Sequence, residues 1–190
     1  MASLRDDLQR IVAVLTRASV RFEVVGGVAV NVYVLNVSPG RSFVTRDVDL
    51  LVHREDLDGI VEVARRAGYT SRQMMGGYLL QQPGQSPEQA VHLLFAGERP
   101  RTTHPLPNPE VNPERMTAGE LGEDLPVAPL RDLVQMKLNS FRAKDEVHLE
   151  ILDRCGLLTK ELVDGLPPVL RERLEQARAR YRPDEDEFEA

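Results

Sequence analysis

Arg41-Ser42-Phe43-Val44-Thr45-Arg46-Asp47-Val48-Asp49-Leu50-Leu51-Val52 is the stretch on which the reading of this chain turns. Val48–Val52 reads as a strand that is apolar apart from its acid. Residues two apart on a strand project from the same face, so Asp47 and Asp49 are expected side by side, with Val48 turned into the core. Two carboxylates held together beside an apolar run repel each other unless a cation lies between them. Oxygen ligands of this kind suit Mg²⁺ or Mn²⁺, above all when substrate phosphates complete the shell. The plainer alternative is a pair of exposed acids at the start of an edge strand. Thr45 and Arg46 place a hydroxyl and a cation next to the pair.

Upstream, Phe22–Val25 reads as a short strand broken by Gly26-Gly27. Val28–Leu35 then reads as a short helix rather than a second strand, because a strand that runs into Gly-Gly usually turns sharply. Glycines directly after a strand also leave bare backbone that can approach a phosphate closely; a simple turn is the other reading. Before them, Leu4, Leu8, Ile11, Val12, Leu15 and Ala18 recur at helical spacing over residues 3–18, with Ser3 as N-cap.

Downstream, a helix is expected over 55–67, stopping at Gly68, with strands over 78–82 and 90–95. Residues 97–126 hold Pro100, Pro105, Pro107, Pro109, Pro113 and Pro126 and read as one long loop, better suited to a functional arm or a protein-partner segment than to filler. From Pro129 the chain turns helical, and Leu130, Leu133, Val134, Leu138, Phe141, Leu149 and Leu152 supply a core face. On that helix Lys137, Phe141, Lys144 and His148 share one side, with Asp145 beside them. Shorter helices are expected near 159–164 and 168–181. The expected architecture is a single α+β domain over residues 1–182, with an α+β core over 1–127 and a helical part over 128–182.

Composition narrows the function. The 190 residues are 42% hydrophobic and 28% charged, the balance of a water-soluble globular protein. No apolar run approaches the roughly 18–20 residues of a membrane span, and Met1-Ala-Ser-Leu-Arg-Asp-Asp7 carries acids where a signal peptide would be basic. A cytoplasmic protein is expected. The net charge of −6 comes mostly from Asp184, Glu185, Asp186, Glu187 and Glu189, in a tail over 183–190 expected to be disordered. The remainder is close to neutral, so there is no basic field for gripping nucleic acid in general. The single cysteine, Cys155, excludes an internal disulfide and a Cys-rich zinc site and reads as a buried filler at a helix end. His53 and His104 are assigned no role.

Strand, Gly-Gly, short helix, then Arg-x-x-x-Thr-x-Asp-x-Asp entering a strand together resemble the polymerase-β-type nucleotidyltransferase superfamily, and within it the AbiEii-like and related small bacterial nucleotidyltransferase proteins. Val24-Val-Gly-Gly-Val-Ala29 is similar to the glycine motif and Thr45-Arg-Asp-Val-Asp-Leu50 to the metal motif. Lys137-Leu-Asn-Ser-Phe-Arg142-Ala-Lys144-Asp145 is similar to a helical Lys…Arg-x-Lys-Asp segment. The resemblance covers roughly residues 20–155. It implies a nucleotidyltransferase fold, a small mixed sheet flanked by helices, with a helical C-terminal half. It also implies metal-dependent transfer of a nucleoside monophosphate from an NTP to RNA, a protein or a small molecule, in a toxin–antitoxin or phage-defence setting. On this resemblance Asp47 and Asp49 hold Mg²⁺ or Mn²⁺, while Gly26, Gly27, Thr45 and Arg46 contact the nucleotide. Lys137 then reaches the triphosphate, assisted by Arg142 or Lys144; its other reading is a lysine whose methylenes snorkel out beside the core.

The sequence departs from the superfamily at the third carboxylate, which is commonly carried on a later strand. In Ala90-Val-His92-Leu-Leu-Phe95 that position is His92. A histidine can ligate a metal or accept a proton, but brings no negative charge for a second cation; it can also simply sit on a strand's polar face. Glu98, just past the strand, is a substitute if the loop folds back. The rival function is a nucleotide- or protein-binding module that keeps the fold and has lost turnover. The missing carboxylate favours it, and the retained acids, Thr45, Arg46 and the glycine pair oppose it.

Overall fold

The computed structural model describes residues 4–74, 76–117 and 124–181. The acid-bearing strand spans Val48–Val52 (β2), with Val48, Leu50 and Val52 in the main core and Asp49 and Leu51 on the opposite face. It lies in a seven-stranded mixed sheet between Phe22–Val25 (β1, antiparallel to it) and Val91–Phe95 (β5, parallel). Beyond β5 come Gly77–Gln81 (β4) and Thr70–Met74 (β3), each antiparallel to its neighbour. Beyond β1 come Leu125–Val127 (β7, parallel) and Glu114–Met116 (β6, antiparallel).

The helices are Leu4–Arg17 (α1), Gly26–Val37 (α2), Leu57–Arg66 (α3), Leu130–Ser140 (α4), Ala143–Arg154 (α5), Lys160–Asp164 (α6) and Pro168–Tyr181 (α7). Their apolar stripes cover one face of the sheet. Leu8, Ile11, Ile60, Leu138, Leu149 and Leu174 are fully buried in one cluster with Val24, Leu50 and Leu93, each such side chain contributing about 1.5–3 kcal/mol. The other face is only partly covered. Val111, Ala128 and Met136 pack there on Val25, Leu51 and Leu94, leaving Asp49 and His92 at an opening. No helix among the described residues is long and apolar enough to cross a membrane.

Several expectations need correction. The stretch expected as one loop over 97–126 contains β6 and the start of β7, with Pro126 inside a buried strand. It also supplies the lid of the second sheet face, where Asn108 and Val111 are buried. The strand β3, Thr-Ser-Arg-Gln-Met, was not expected; all five residues are exposed at the sheet edge and carry no alternation. The helix from Pro129 is not continuous. It ends at Ser140, Phe141 takes a left-handed conformation (φ 48°), and α5 begins at Ala143. A shared helical face therefore does not explain how Lys137, Lys144 and His148 come together. Ser3 and the acidic tail over 183–190 lie outside the described residues.

One buried carboxyl group marks the seam between sheet and lid. Glu23 of β1 has no exposed surface; its Oε2 accepts from the Asn112 amide at 2.9 Å, while its Oε1 has no hydrogen-bond partner. Burial pushes its carboxyl from 4.5 up to about 7, against the Asn112 hydrogen bond and with the help of Asp132. The folded protein thus retains a proton that the unfolded chain releases. The associated stability is full below about pH 4.5 and is lost as pH rises through about 7. We expect calorimetric Tm to fall between pH 5 and pH 8, and Glu23→Gln to remove roughly 1–2 kcal/mol of that dependence. An unchanged slope in Glu23→Gln would show that the carboxyl is not protonated in the fold.

Candidate active site

Cross-strand register assembles the site. Val25, Asp49, His92, Leu79 and Arg72 are paired in sequence across β1, β2, β5, β4 and β3, and directly opposed residues project from one face. His92 Nδ1 accordingly lies 3.3 Å from Asp49 Oδ1. Asp47 precedes the strand and arrives from the coil over 41–47. Its Oδ1 accepts from Thr45 Oγ1 at 3.1 Å and its Oδ2 from Lys144 Nζ at 3.5 Å. Asn31 fixes the coil by donating to Phe43 O (2.9 Å) and accepting from Phe43 N (3.1 Å). Each of Asp47, Asp49 and His92 offers a ligand atom within 4.8 Å of the others.

Gly26 makes room for this group. It has φ +69°, and a Cβ there would stand 1.9 Å from Asp49 Oδ2. Gly27 abuts the coil in the same way, its Cβ position lying 2.6 Å from Thr45 Oγ1. The glycines are the first residues of α2, so the helix begins where the chain leaves β1.

The surroundings settle the charges. Burial alone would push the Asp49 carboxyl up, but the His92 hydrogen bond and charge, with Lys137 and Lys144, hold it below its ordinary value. Burial would push His92 down, but Asp49 and the Pro87 carbonyl keep it raised. His92 Nε2 lies 3.3 Å from Pro87 O. That oxygen can only accept, so Nε2 carries the hydrogen and Nδ1 faces the acids. There it either donates to Asp49 or, unprotonated, shares a cation with it. Two carboxylates, an oriented imidazole and backbone free of Cβ fit one divalent cation. Among the described residues no third carboxylate joins the group. Glu98 does not fold back to it, being held by Arg54 through both oxygens.

Lys137 does not snorkel. Its ammonium is buried and lies 3.2 Å from Asp145 Oδ1. Asp145, with no exposed surface, also accepts from Ser140 Oγ and from Arg142 Nε (2.9 Å) and N (3.2 Å). Burial works against the Asp145 charge, but Lys137, Arg142 and Ser140 hold its carboxyl far below the usual range. Two clefts meet at the acids. One, of about 220 Å³, is lined by Gly26, Asp49, Lys137, Arg142 and Asp145; the other, of about 560 Å³, by Gly27, Thr45, Arg46 and Asp47. His92 and Lys144 border both. Arg46 is mostly exposed and pairs with Glu88 at 3.7 Å. No pattern in the sequence marked Arg101 and His104 as lining the first cleft. His148, expected on one helical side with Lys137 and Lys144, lines the second, its ring tilted against that of Phe43 with the centroids 4.6 Å apart.

No protein-family model matches the sequence, and no curated protein matches it. Among solved structures the chain is similar to ANT(2'')-Ia in complex with adenylyl-2''-tobramycin, at 16% identity and a TM-score of 0.54 over 92% of this chain and 96% of that one. A solution structure of the antibiotic-resistance factor ANT(2'')-Ia matches 93% of this chain and 83% of that one at 13% identity and a TM-score of 0.47. The Megavirus polyadenylate synthase matches 95% of this chain and 35% of that one at 14% identity and 0.43. The chain has the nucleotidyltransferase fold.

The Gly26–Asp49 approach predicts a paired outcome. Gly40 also has positive φ (+84°), but a Cβ there meets nothing within 4 Å. Gly40→Ala should therefore cost only the backbone strain, about 1 kcal/mol. Gly26→Ala should cost several kcal/mol, partly recovered by adding Asp49→Gly. Equal Tm losses for the two alanine variants would show that Gly26 and Asp49 do not approach so closely.

Proposed function

We propose that this protein is a metal-dependent nucleotidyltransferase that moves a nucleoside monophosphate from an NTP to an acceptor group. The observation that carries the reading is the convergence of Asp47, Asp49 and His92 Nδ1 beside bare backbone at Gly26, on the open face of a nucleotidyltransferase fold. Asp47, Asp49 and His92 would hold Mg²⁺ or Mn²⁺. The bound cation would polarise the α-phosphate and offset charge on the departing pyrophosphate.

The chain's own residues supply the rest. Lys144 and Thr45 fix Asp47 in position, and Pro87 O fixes the His92 ring so that it acts as a ligand rather than a proton acceptor. The exposed side of Arg142, together with Lys144, presents positive charge to a triphosphate in the first cleft. Buried Lys137 acts through Asp145, which holds Arg142 in place. The wider second cleft, with Thr45 and Arg46 at its rim, is suited to the acceptor, whether RNA, protein or small molecule. The assignment to AbiEii-like proteins, and with it a toxin–antitoxin or phage-defence setting, is supported by the motifs of residues 24–29, 45–50 and 137–145. A partner-binding arm in residues 97–126 draws less support, because much of that segment covers the sheet.

The rival reading, a nucleotide-binding module without turnover, is favoured by one observation: no third carboxylate stands with Asp47 and Asp49 among the described residues. Turnover separates the two. Wild type should bind Mn²⁺ by electron paramagnetic resonance and release pyrophosphate from at least one NTP. Asp47→Asn and Asp49→Asn should each weaken Mn²⁺ binding more than about tenfold and abolish release. Binding of NTP with no pyrophosphate from any of the four, over a broad acceptor screen, would favour the module. Unaltered Mn²⁺ binding in both variants would remove the proposed centre altogether.

A further inference from the structure

Beside Lys137, Arg142 and Lys144, the first cleft is lined by a further cation, Arg101. Arg101, Thr103 and His104 reach it from the lid segment, and Ser140 and Arg142 from the junction of α4 and α5. The segment is fixed at several points. The His104 amide donates to Arg101 O at 3.1 Å. Asn139 grips Leu106 from both sides, its Oδ1 accepting from Leu106 N (2.9 Å) and its Nδ2 donating to Leu106 O (2.7 Å). Buried Asn108 donates to Phe95 O (3.0 Å) and to Glu98 O (2.8 Å). At the mouth, Gly76 lets Pro100 approach, since a Cβ there would lie 2.7 Å from Pro100 O.

The groups around His104 are Arg101, Arg142 and Arg173, with Asp145 as the acid. Arg173 is committed to Leu138 O (2.8 Å) and Asn139 O (2.7 Å). Asp145 is already shared among Lys137, Ser140 and Arg142. Arg101 is exposed and faces the cleft. His104 Nδ1 is buried and has no hydrogen-bond partner. Burial, and then Arg101, Arg142 and Arg173, hold its imidazole below the ordinary value, with Asp145 acting the other way. Such a lining is wrong for a cationic ligand and right for an anion with several charges.

We infer that Arg101, His104 and Arg142 form a polyphosphate subsite that receives the distal phosphates of the nucleotide. The identification of the anion as a nucleotide tail rests on the nucleotidyltransferase reading. The subsite is built mainly by a segment that would otherwise serve only to cover the sheet. Arg101 supplies a forked guanidinium, His104 a ring nitrogen in need of a partner, and Arg142 a cation held in place by Asp145.

The test uses the full chain and inorganic triphosphate without metal, followed by calorimetric titration. Wild type should bind it, and Arg101→Ala and His104→Ala should each weaken binding about tenfold or more. Tm should be unchanged in Arg101→Ala, whose side chain is exposed. In an NMR titration the His104 pKa should rise on binding, because the anion offsets the arginines. Failure of wild type to bind triphosphate, or equal binding by Arg101→Ala and His104→Ala, would overturn the subsite. Triphosphate binding with the expected losses, but no pyrophosphate release from any NTP, would sink the transferase reading and leave the subsite standing.

Discussion

Asp47, Asp49 and His92 are held with their ligand atoms within 4.8 Å of one another, and carboxylates so placed repel unless positive charge is set among them. Much of the nearby structure answers that constraint. Lys144 and Thr45 reach Asp47, and His92 reaches Asp49. Gly26 withholds a side chain so that Asp49 has room, and Pro87 O turns the His92 ring. Behind this group, Lys137 and Asp145 form a buried pair that carries charge to the floor of the cleft without leaving either ion unpartnered. Breaking such a pair from one side is far more costly than replacing both members, so the two residues form one unit.

The fold supplies the rigidity that the constraint requires. β2 and β5 are neighbours in register, so Asp49 and His92 cannot separate without shearing the sheet. The helices crowd onto one face, which leaves the other face available for a site. The lid over residues 97–112 then divides that face, covering Val25 and Leu51 with Val111 while leaving the acids open. A segment with four prolines in that span, Pro100, Pro105, Pro107 and Pro109, loses less conformational entropy on docking than a freely flexible one. This suits it to hold charged side chains at fixed places without regular structure.

The legible parts of the sequence were those where burial leaves a pattern. Phe22–Val25 and Val48–Val52 read as strands because nearly every position is apolar and buried. The amphipathic stripe of α1 was equally plain. β3 was not, because an exposed edge strand carries no alternation, and β6 and β7 are short and interrupted by Pro126. The spacing of Lys137, Lys144 and His148 predicts one shared helical face, but a turn at Phe141 brings them to one region instead. No local signal marks a left-handed phenylalanine. Asp47 and Asp49 were expected together from strand geometry, yet Asp47 lies in coil and is placed by Thr45, Lys144 and the Asn31–Phe43 bonds. His104 carried no signal because Arg142, Asp145 and Arg173, which surround it, lie more than thirty residues away in the chain.

The measurement that bears most directly on the account is anomalous diffraction from crystals grown with Mn²⁺ and a non-hydrolysable NTP. A manganese peak is expected, bonded to a carboxylate oxygen of both Asp47 and Asp49 and to His92 Nδ1, with the α-phosphate in contact with the same ion and the nucleotide in the cleft beside Gly26. Manganese bound elsewhere, or His92 joined to it through Nε2 after breaking its bond to Pro87 O, would contradict the account.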